Sequence, residues 1–171
     1  MIILLISVYG LLFLFIYKAF LWLHGPPYVQ TDDTTAAQIV AYTKQYKGKR
    51  VLDIGSGNGK LVASLAEAGF IVDGVEVSPH LVLLSRKSIN SLHLNDKAHI
   101  IWGSLWSYDV SKYDTIIVFG FSSIMNRLEK KLLKELRPGS TVISNYYEFS
   151  TLKLIAKNDR VRIYKIDKLT S

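Results

Sequence analysis

The sequence predicts an α/β domain, a mostly parallel sheet flanked by helices and closed by an antiparallel hairpin, with one apolar helix before it. Three observations predict this. From Arg50 onward, short apolar runs alternate with segments of helical periodicity, the pattern of a parallel sheet covered by helices. Three glycines at alternate positions, Gly55, Gly57 and Gly59, separate the first such run from the helix after it. Ahead of both, Met1 to Leu23 holds a single formally charged side chain, Lys18.

That first run is long enough to cross a hydrocarbon core of about 30 Å as a helix, and it is expected to be a transmembrane anchor over residues 1–24. Tyr17, Lys18, Trp22 and His24 suit the headgroup level at its lower end, and Gly25, Pro26 and Pro27 stop the helix. No Lys or Arg precedes the run and no small-residue cleavage pattern follows it, which favours a retained anchor over a cleaved signal peptide. With basic residues only after the span, the positive-inside tendency predicts a single-pass membrane protein with its folded domain on the cytoplasmic side.

Residues 25–49 are a linker and first helix: Thr31-Asp32-Asp33-Thr34 offers capping side chains ahead of Ala36 to Tyr46. The folded domain follows over 50–171. Arg50 to Ile54 reads as a buried parallel strand that breaks at Gly55. Lys60 to Ala68 is a helix closed by Gly69, Phe70 to Val77 a second strand, and Pro79 to Leu92 a second helix. Ala98 to Trp102, Thr115 to Phe119 and Thr141 to Ser144 read as strands, with a helix from Ser122 to Leu136 before the Pro138-Gly139 turn. Leu152 to Ala156 and Val161 to Ile166 flank the turn-like Lys157-Asn158-Asp159-Arg160, which predicts the closing hairpin.

Composition narrows the chemistry. The 171 residues are 49% hydrophobic, enough for one domain with a core once the apolar start is set aside. There is no cysteine, so disulfides, thiolate metal sites, zinc-deaminase chemistry and cysteine nucleophiles are excluded, and no metal centre is expected. A formal charge of +7 favours anionic neighbours: lipid headgroups, nucleic acid or an acidic protein face, of which lipid is the simplest for a tethered domain.

The run Val51-Leu52-Asp53-Ile54-Gly55-Ser56-Gly57-Asn58-Gly59 places glycines between a buried strand and a helix, where a ligand must approach the backbone closely. Open α/β sheets bind small molecules in the crevice at the carboxyl ends of their strands. A dinucleotide fingerprint counted from Gly55 needs glycine where Lys60 stands. A P-loop needs glycine where Ile54 stands and Ser or Thr where Leu61 stands. Both phosphate cradles fail. Asp53 puts a carboxylate at the strand end, where it repels a pyrophosphate and attracts an ammonium group. Glu76, in Gly74-Val75-Glu76-Val77, is placed to accept both hydroxyls of a ribose. Either acid alone reads best as a cap or a solvated charge; the pair, one helix apart, asks for a ligand with an amine and a ribose.

This glycine loop together with Gly74-Val75-Glu76 resembles the first two motifs of class I S-adenosylmethionine-dependent methyltransferases. A narrower resemblance runs along nearly the whole chain after the apolar start: Pro27-Tyr28-Val29, Gly103-Ser104-Leu105-Trp106, Tyr113-Asp114, Leu128-Glu129-Lys130-Lys131-Leu132 and Glu135-Leu136-Arg137-Pro138-Gly139. These are similar to the protein-lysine methyltransferases that include the mitochondrial enzymes for the adenine nucleotide translocase and the ATP synthase c-ring protein. The mitochondrial members also carry an N-terminal hydrophobic segment. The resemblance implies a Rossmann-like class I methyltransferase sheet, S-adenosyl-L-methionine as cofactor and a protein substrate, in particular an integral membrane protein. It implies cofactor contacts from Asp53, Ile54, Gly55, Ser56, Gly57, Gly59, Glu76 and Val77, with Ser104 and Leu105 near the adenine. This chain departs from the family where Ser104 replaces an acid, where Phe121-Ser122-Ser123 lacks a proline, and where Gln30 replaces a second proline.

Transfer from a sulfonium is an in-line displacement that needs alignment and exclusion of water more than dedicated catalytic groups. A lysine acceptor must first lose its proton, and an aromatic wall could hold it by cation–π contact. Tyr28, Phe119 and Tyr146 are the acceptor-side candidates, Tyr28 foremost because it lies in a linker outside any helical or strand period and matches the family's aromatic. Phe121 and Tyr147 also fall near, although aromatics at strand ends more often serve packing. Two rivals stay open: methylation of a small lipophilic substrate such as a quinone precursor or lipid, and a non-catalytic S-adenosylmethionine-binding module. A nucleic-acid acceptor is disfavoured, since Phe119-Gly120-Phe121-Ser122 stands where many amino-methylating DNA and RNA enzymes have Asn-Pro-Pro-Tyr, and the basic residues are scattered.

Overall fold

A computed structural model describes residues 7–17, 30–46, 48–119 and 122–167. Helix α1 covers residues 7–17, and its side chains are exposed throughout. At 1.5 Å per residue the described stretch spans about 16 Å. Among the described residues no helix is long and apolar enough to cross a membrane. As far as the described residues go, this overturns the expected transmembrane helix and the single-pass, cytoplasm-facing localisation built on it; residues 1–6 and 18–24 of the expected span lie outside them.

Helix α2 (Asp33–Gln45) starts where the side chain of Asp32 accepts the Thr35 backbone N–H. Capping of this kind satisfies one of the donors a helix start leaves unpaired. The chain then runs β1 (Arg50–Ile54), α3 (Lys60–Glu67), β2 (Ile71–Glu76), α4 (Pro79–Ser91), β3 (Ala98–Trp102), β4 (Thr115–Val118), α5 (Ser122–Glu135), β5 (Thr141–Asn145), β6 (Lys153–Asn158) and β7 (Val161–Lys165).

The strands form one seven-stranded sheet in the order β3-β2-β1-β4-β5-β7-β6. The five strands from β3 to β5 are parallel, while β7 runs antiparallel to both β5 and β6, with a bulge between Leu154 and Ala156. Strands β1, β4 and β5 are buried on both sides over most of their length, which is why each reads as an apolar run and not as an alternation.

Two cores follow from the two faces. Val51, Val72, Ile100, Ile117 and Ile143 meet Ala36 and Ile39 of α2, Leu61 and Leu65 of α3, and Val82 and Ile89 of α4. On the other face Leu52, Ile54, Ile116, Val118 and Val142 meet Met125, Leu128 and Leu132 of α5. Chain order reverses between β1 and β4, because β1 leads outward to β2 and β3 whereas β4 returns to its other side. At such a reversal open α/β sheets bind ligands in a crevice outside the carboxyl ends of the strands.

Candidate functional site

Side-chain alternation fixes which groups meet at the crevice. Val51 belongs to the α2–α3–α4 face, so Asp53, two residues on, points the same way. In register, Asp53 lies beside Gly74 of β2 and Ile117 of β4, and Glu76 continues the face of Gly74 at the tip of β2. Both acids thus stand on one face at neighbouring strand ends, 2% and 7% exposed.

The loop between them is bent by glycine: Gly55, Gly57 and Gly59 take φ of 77°, 55° and 78°, a region that side chains disfavour. Gly74 serves differently. A Cβ there would sit 2.7 Å from both Cβ and Oγ of Ser56, so its missing side chain is the space into which the loop folds. The backbone N–H groups of Gly55 and Ser56 donate to the Val75 carbonyl at 2.8 and 3.2 Å. Glu76 accepts the Gly57 N–H at 2.9 Å through Oε2 and the Ser78 N–H at 2.8 Å through Oε1. Each carboxylate oxygen still has a free lone pair to offer a ribose hydroxyl.

Asp53 is in a different condition. Its Oδ1 is buried without a hydrogen-bond partner, as is the Oγ of Ser56. Burial, and after it the negative charge of Glu76, push the Asp53 carboxyl up to about 7. A desolvated acid beside a second acid is stabilised by a cation. Orphaned acceptors beside a side-chain-free bend suit a ligand that brings an ammonium at one end and hydroxyls at the other.

The remaining expected residues spread along the strand tips. Val77 is exposed after β2, and its carbonyl accepts the indole N–H of Trp102 at 3.1 Å. The Oγ of Ser104 accepts the Trp106 N–H at 3.3 Å in the turn after β3, and Leu105 packs toward the α5 face. Ile54 turns its side chain into the α5 core, so only its backbone borders the crevice. Phe119 is half-buried after β4 on the Asp53 face. Tyr146 is exposed after β5 and meets Tyr147 edge to face at 5.4 Å. Tyr28 and Phe121 lie outside the described residues. One residue at these tips was not expected from the sequence: Asn145, whose Oδ1 is buried without a partner. Its signal was a lone amide closing an apolar strand.

Sheet order, glycine bend and paired acids together define a class I methyltransferase domain, whose methyl donor is S-adenosylmethionine. The chain belongs to the family described as ANTKMT methyltransferase domain, whose pattern matches residues 53–156. It is similar to the lysine N-methyltransferase of the ATP synthase c-subunit from Rattus norvegicus, 33% identical over 72% of this chain and 56% of that protein. It is also similar to a protein-lysine N-methyltransferase of Saccharolobus islandicus, 26% identical over 71% of this chain and 77% of that one. The chain spans about half the length of the vertebrate relatives it matches. Among solved structures, an RNA methyltransferase from Salinibacter ruber in complex with S-adenosyl-L-homocysteine shares the fold: TM-score 0.74, 20% identity, covering 84% of this chain and 97% of that one.

Proposed function

We propose that this chain is a protein-lysine N-methyltransferase and that its acceptor is a lysine of an integral membrane protein. One observation carries the donor side: a fully buried, unpartnered Asp53 next to Glu76 at the point where chain order reverses. The lysine reading is supported by the relatives, whose names specify lysine N-methylation.

In this reading Asp53 holds the ammonium of the methionine part, Glu76 accepts the ribose hydroxyls, and the Gly55–Gly59 backbone passes beneath them. Val77, Ser104 and Leu105 border the base. S-adenosylmethionine, when bound, supplies a methyl group activated by its sulfonium. The protein's task is then to align the incoming amine and to keep water out. A lysine reaches the site as an ammonium and must lose its proton; an apolar wall such as Phe119 favours the neutral amine, since burial disfavours charge. Tyr146 offers a ring face to the approaching cation.

Incubating the chain with methyl-labelled S-adenosylmethionine and membrane fractions tests this. Label on lysine, located by mass spectrometry, is the expected result. Label extracted with lipid indicates a small lipophilic acceptor instead, and retained S-adenosylhomocysteine binding with no transfer indicates a binding module; either overturns the lysine reading.

A further inference from the structure

Among the described side chains, three buried polar atoms lack a hydrogen-bond partner: Asp53 Oδ1, Ser56 Oγ and Asn145 Oδ1. The first two belong to the donor side. The third does not: Asn145 ends β5, separated from β1 by β4. Ile143 lies beside Ile117, and Ile117 beside Asp53, so alternation puts Asn145 and Phe119 on the Asp53 face, one step further toward the crevice. Two strand spacings place Asn145 about 10 Å from the β1 line. A buried carbonyl oxygen with no donor to accept from is costly, and natural folds rarely leave one without a purpose.

The next residue carries an independent mark. Tyr146 adopts φ of 75°, a conformation that side chains of its bulk seldom take. Its N–H donates to the Arg160 carbonyl at 2.6 Å, the Tyr147 N–H donates to the Asn145 carbonyl at 3.0 Å, and the Ser144 hydroxyl donates to the Tyr147 carbonyl at 2.6 Å. Strain held this firmly collects at sites that bind or react. Here it ends the strand at Asn145 and leaves the Tyr146 ring 61% exposed beside it.

We infer that Asn145 positions the acceptor amine: its amide oxygen accepts one N–H of the neutral substrate lysine and thereby turns the nitrogen lone pair toward the methyl group. This rests on the lysine reading above. In the step so aligned, nitrogen forms a bond to the methyl carbon as the carbon–sulfur bond breaks with its electron pair going to sulfur. The product ammonium then gives a proton to water. An amide suits the task better than a carboxylate, which would hold the lysine in its charged, unreactive form. A primary amine has two N–H groups, a monomethylamine one and a dimethylamine none, so Asn145 acts in the first two transfers and has nothing to hold in a third.

The test uses the full chain with membrane proteins from cells lacking it, and with the same proteins chemically dimethylated on lysine. Asn145→Leu keeps the size and removes the acceptor. It is expected to slow the first and second transfers about tenfold, to leave transfer to dimethyl-lysine unchanged, and to leave S-adenosylhomocysteine binding by calorimetry unchanged. Asn145→Asp keeps an acceptor and is expected to restore transfer with its pH–rate profile displaced to higher pH. Equal slowing at every methylation state, no slowing, or an unmoved Asn145→Asp profile overturns the inference. If Asn145→Leu does not fold, Asn145→Asp and its pH profile decide. A wild-type chain that methylates no lysine defeats the lysine reading itself, which is a different result from a normal wild type with an indifferent Asn145.

Discussion

The crevice has two sides built on opposite plans. At the tips of β1 and β2 the backbone reaches positive φ only through glycine, and Glu76 ties the loop down with two backbone hydrogen bonds. At the tip of β5 the same kind of bend is forced on Tyr146, beside an amide with no partner. On the proposed assignment, the donor side concentrates its cost in an electrostatic mismatch at Asp53, whereas the acceptor side concentrates it in the backbone.

The sharpest probe of that contrast is pH. Burial first, and then Glu76, raise the Asp53 carboxyl from 3.8 to about 7, so between those values the native chain holds a proton that the unfolded chain has released. Stability of the ligand-free protein should therefore fall as pH rises through this window, by up to about 4 kcal/mol, and stay low above it. Urea unfolding at pH 5 and pH 8 measures this, and Asp53→Asn should flatten the dependence. Cofactor affinity should run the other way, rising up to about pH 7 as the carboxylate ionises to meet the ammonium. Asp53→Ala should weaken S-adenosylmethionine binding in calorimetry by about 1.5–3 kcal/mol; unchanged affinity would mean that the amine sits elsewhere.

Gly74→Ala should come next. Its Cβ would press on Ser56 at 2.7 Å and on Ile100 Cδ1 at 2.9 Å, overpacking that costs about 1–3 kcal/mol in thermal unfolding. Because Ser56 must move, S-adenosylhomocysteine binding should fall as well.

On the α5 side, Glu129 is 4% exposed and accepts from the Ser150 hydroxyl and from the Thr151 and Leu152 N–H groups, which pins the segment entering β6. Glu129→Ala strands those donors and should cost about 2 kcal/mol in denaturant unfolding. It should leave cofactor affinity unchanged, since the segment lies away from the β1–β2 tips. A loss of affinity would show that the two sides are mechanically coupled.

The glycine bend and the two strand-end acids were legible because their pattern is local in sequence. Glycine at 55, 57 and 59 has few uses other than bending, and an acid before that bend can be read without knowing the fold. β1 and β3 match their expected bounds and α4 starts at Pro79 as expected, whereas α2 starts at Asp33 behind the capping Asp32, three residues before the expected Ala36. The bend at the tip of β5 was opaque for the converse reason. β5 runs to Asn145, one residue past the expected Ser144, and nothing near Tyr146 signals positive φ. Asp73 is a charged residue buried mid-strand, tolerable because Tyr113 donates to it at 2.5 Å and His99 lies at 3.2 Å. Those partners come 40 and 26 residues later, beyond any local pattern. For the N-terminal run, only residues 7–17 are described, and the rest of the expected span lies outside the described residues.

The smallest predicted effect bears most directly on the contrast between the two sides. Glycine adopts φ near 75° without penalty, so Tyr146→Gly should relieve backbone strain by about 1 kcal/mol. The Tyr146 ring is mostly exposed, and removing it forfeits only the edge-to-face contact with Tyr147, which is worth about as much or less. Thermal stability should therefore stay level or rise slightly. If the strained bend serves the acceptor, methyl transfer should drop while S-adenosylhomocysteine affinity holds, so that stability and activity move apart. A variant that is less stable and fully active would instead make Tyr146 an ordinary packing residue, and the β5 tip would lose its claim to be the acceptor side.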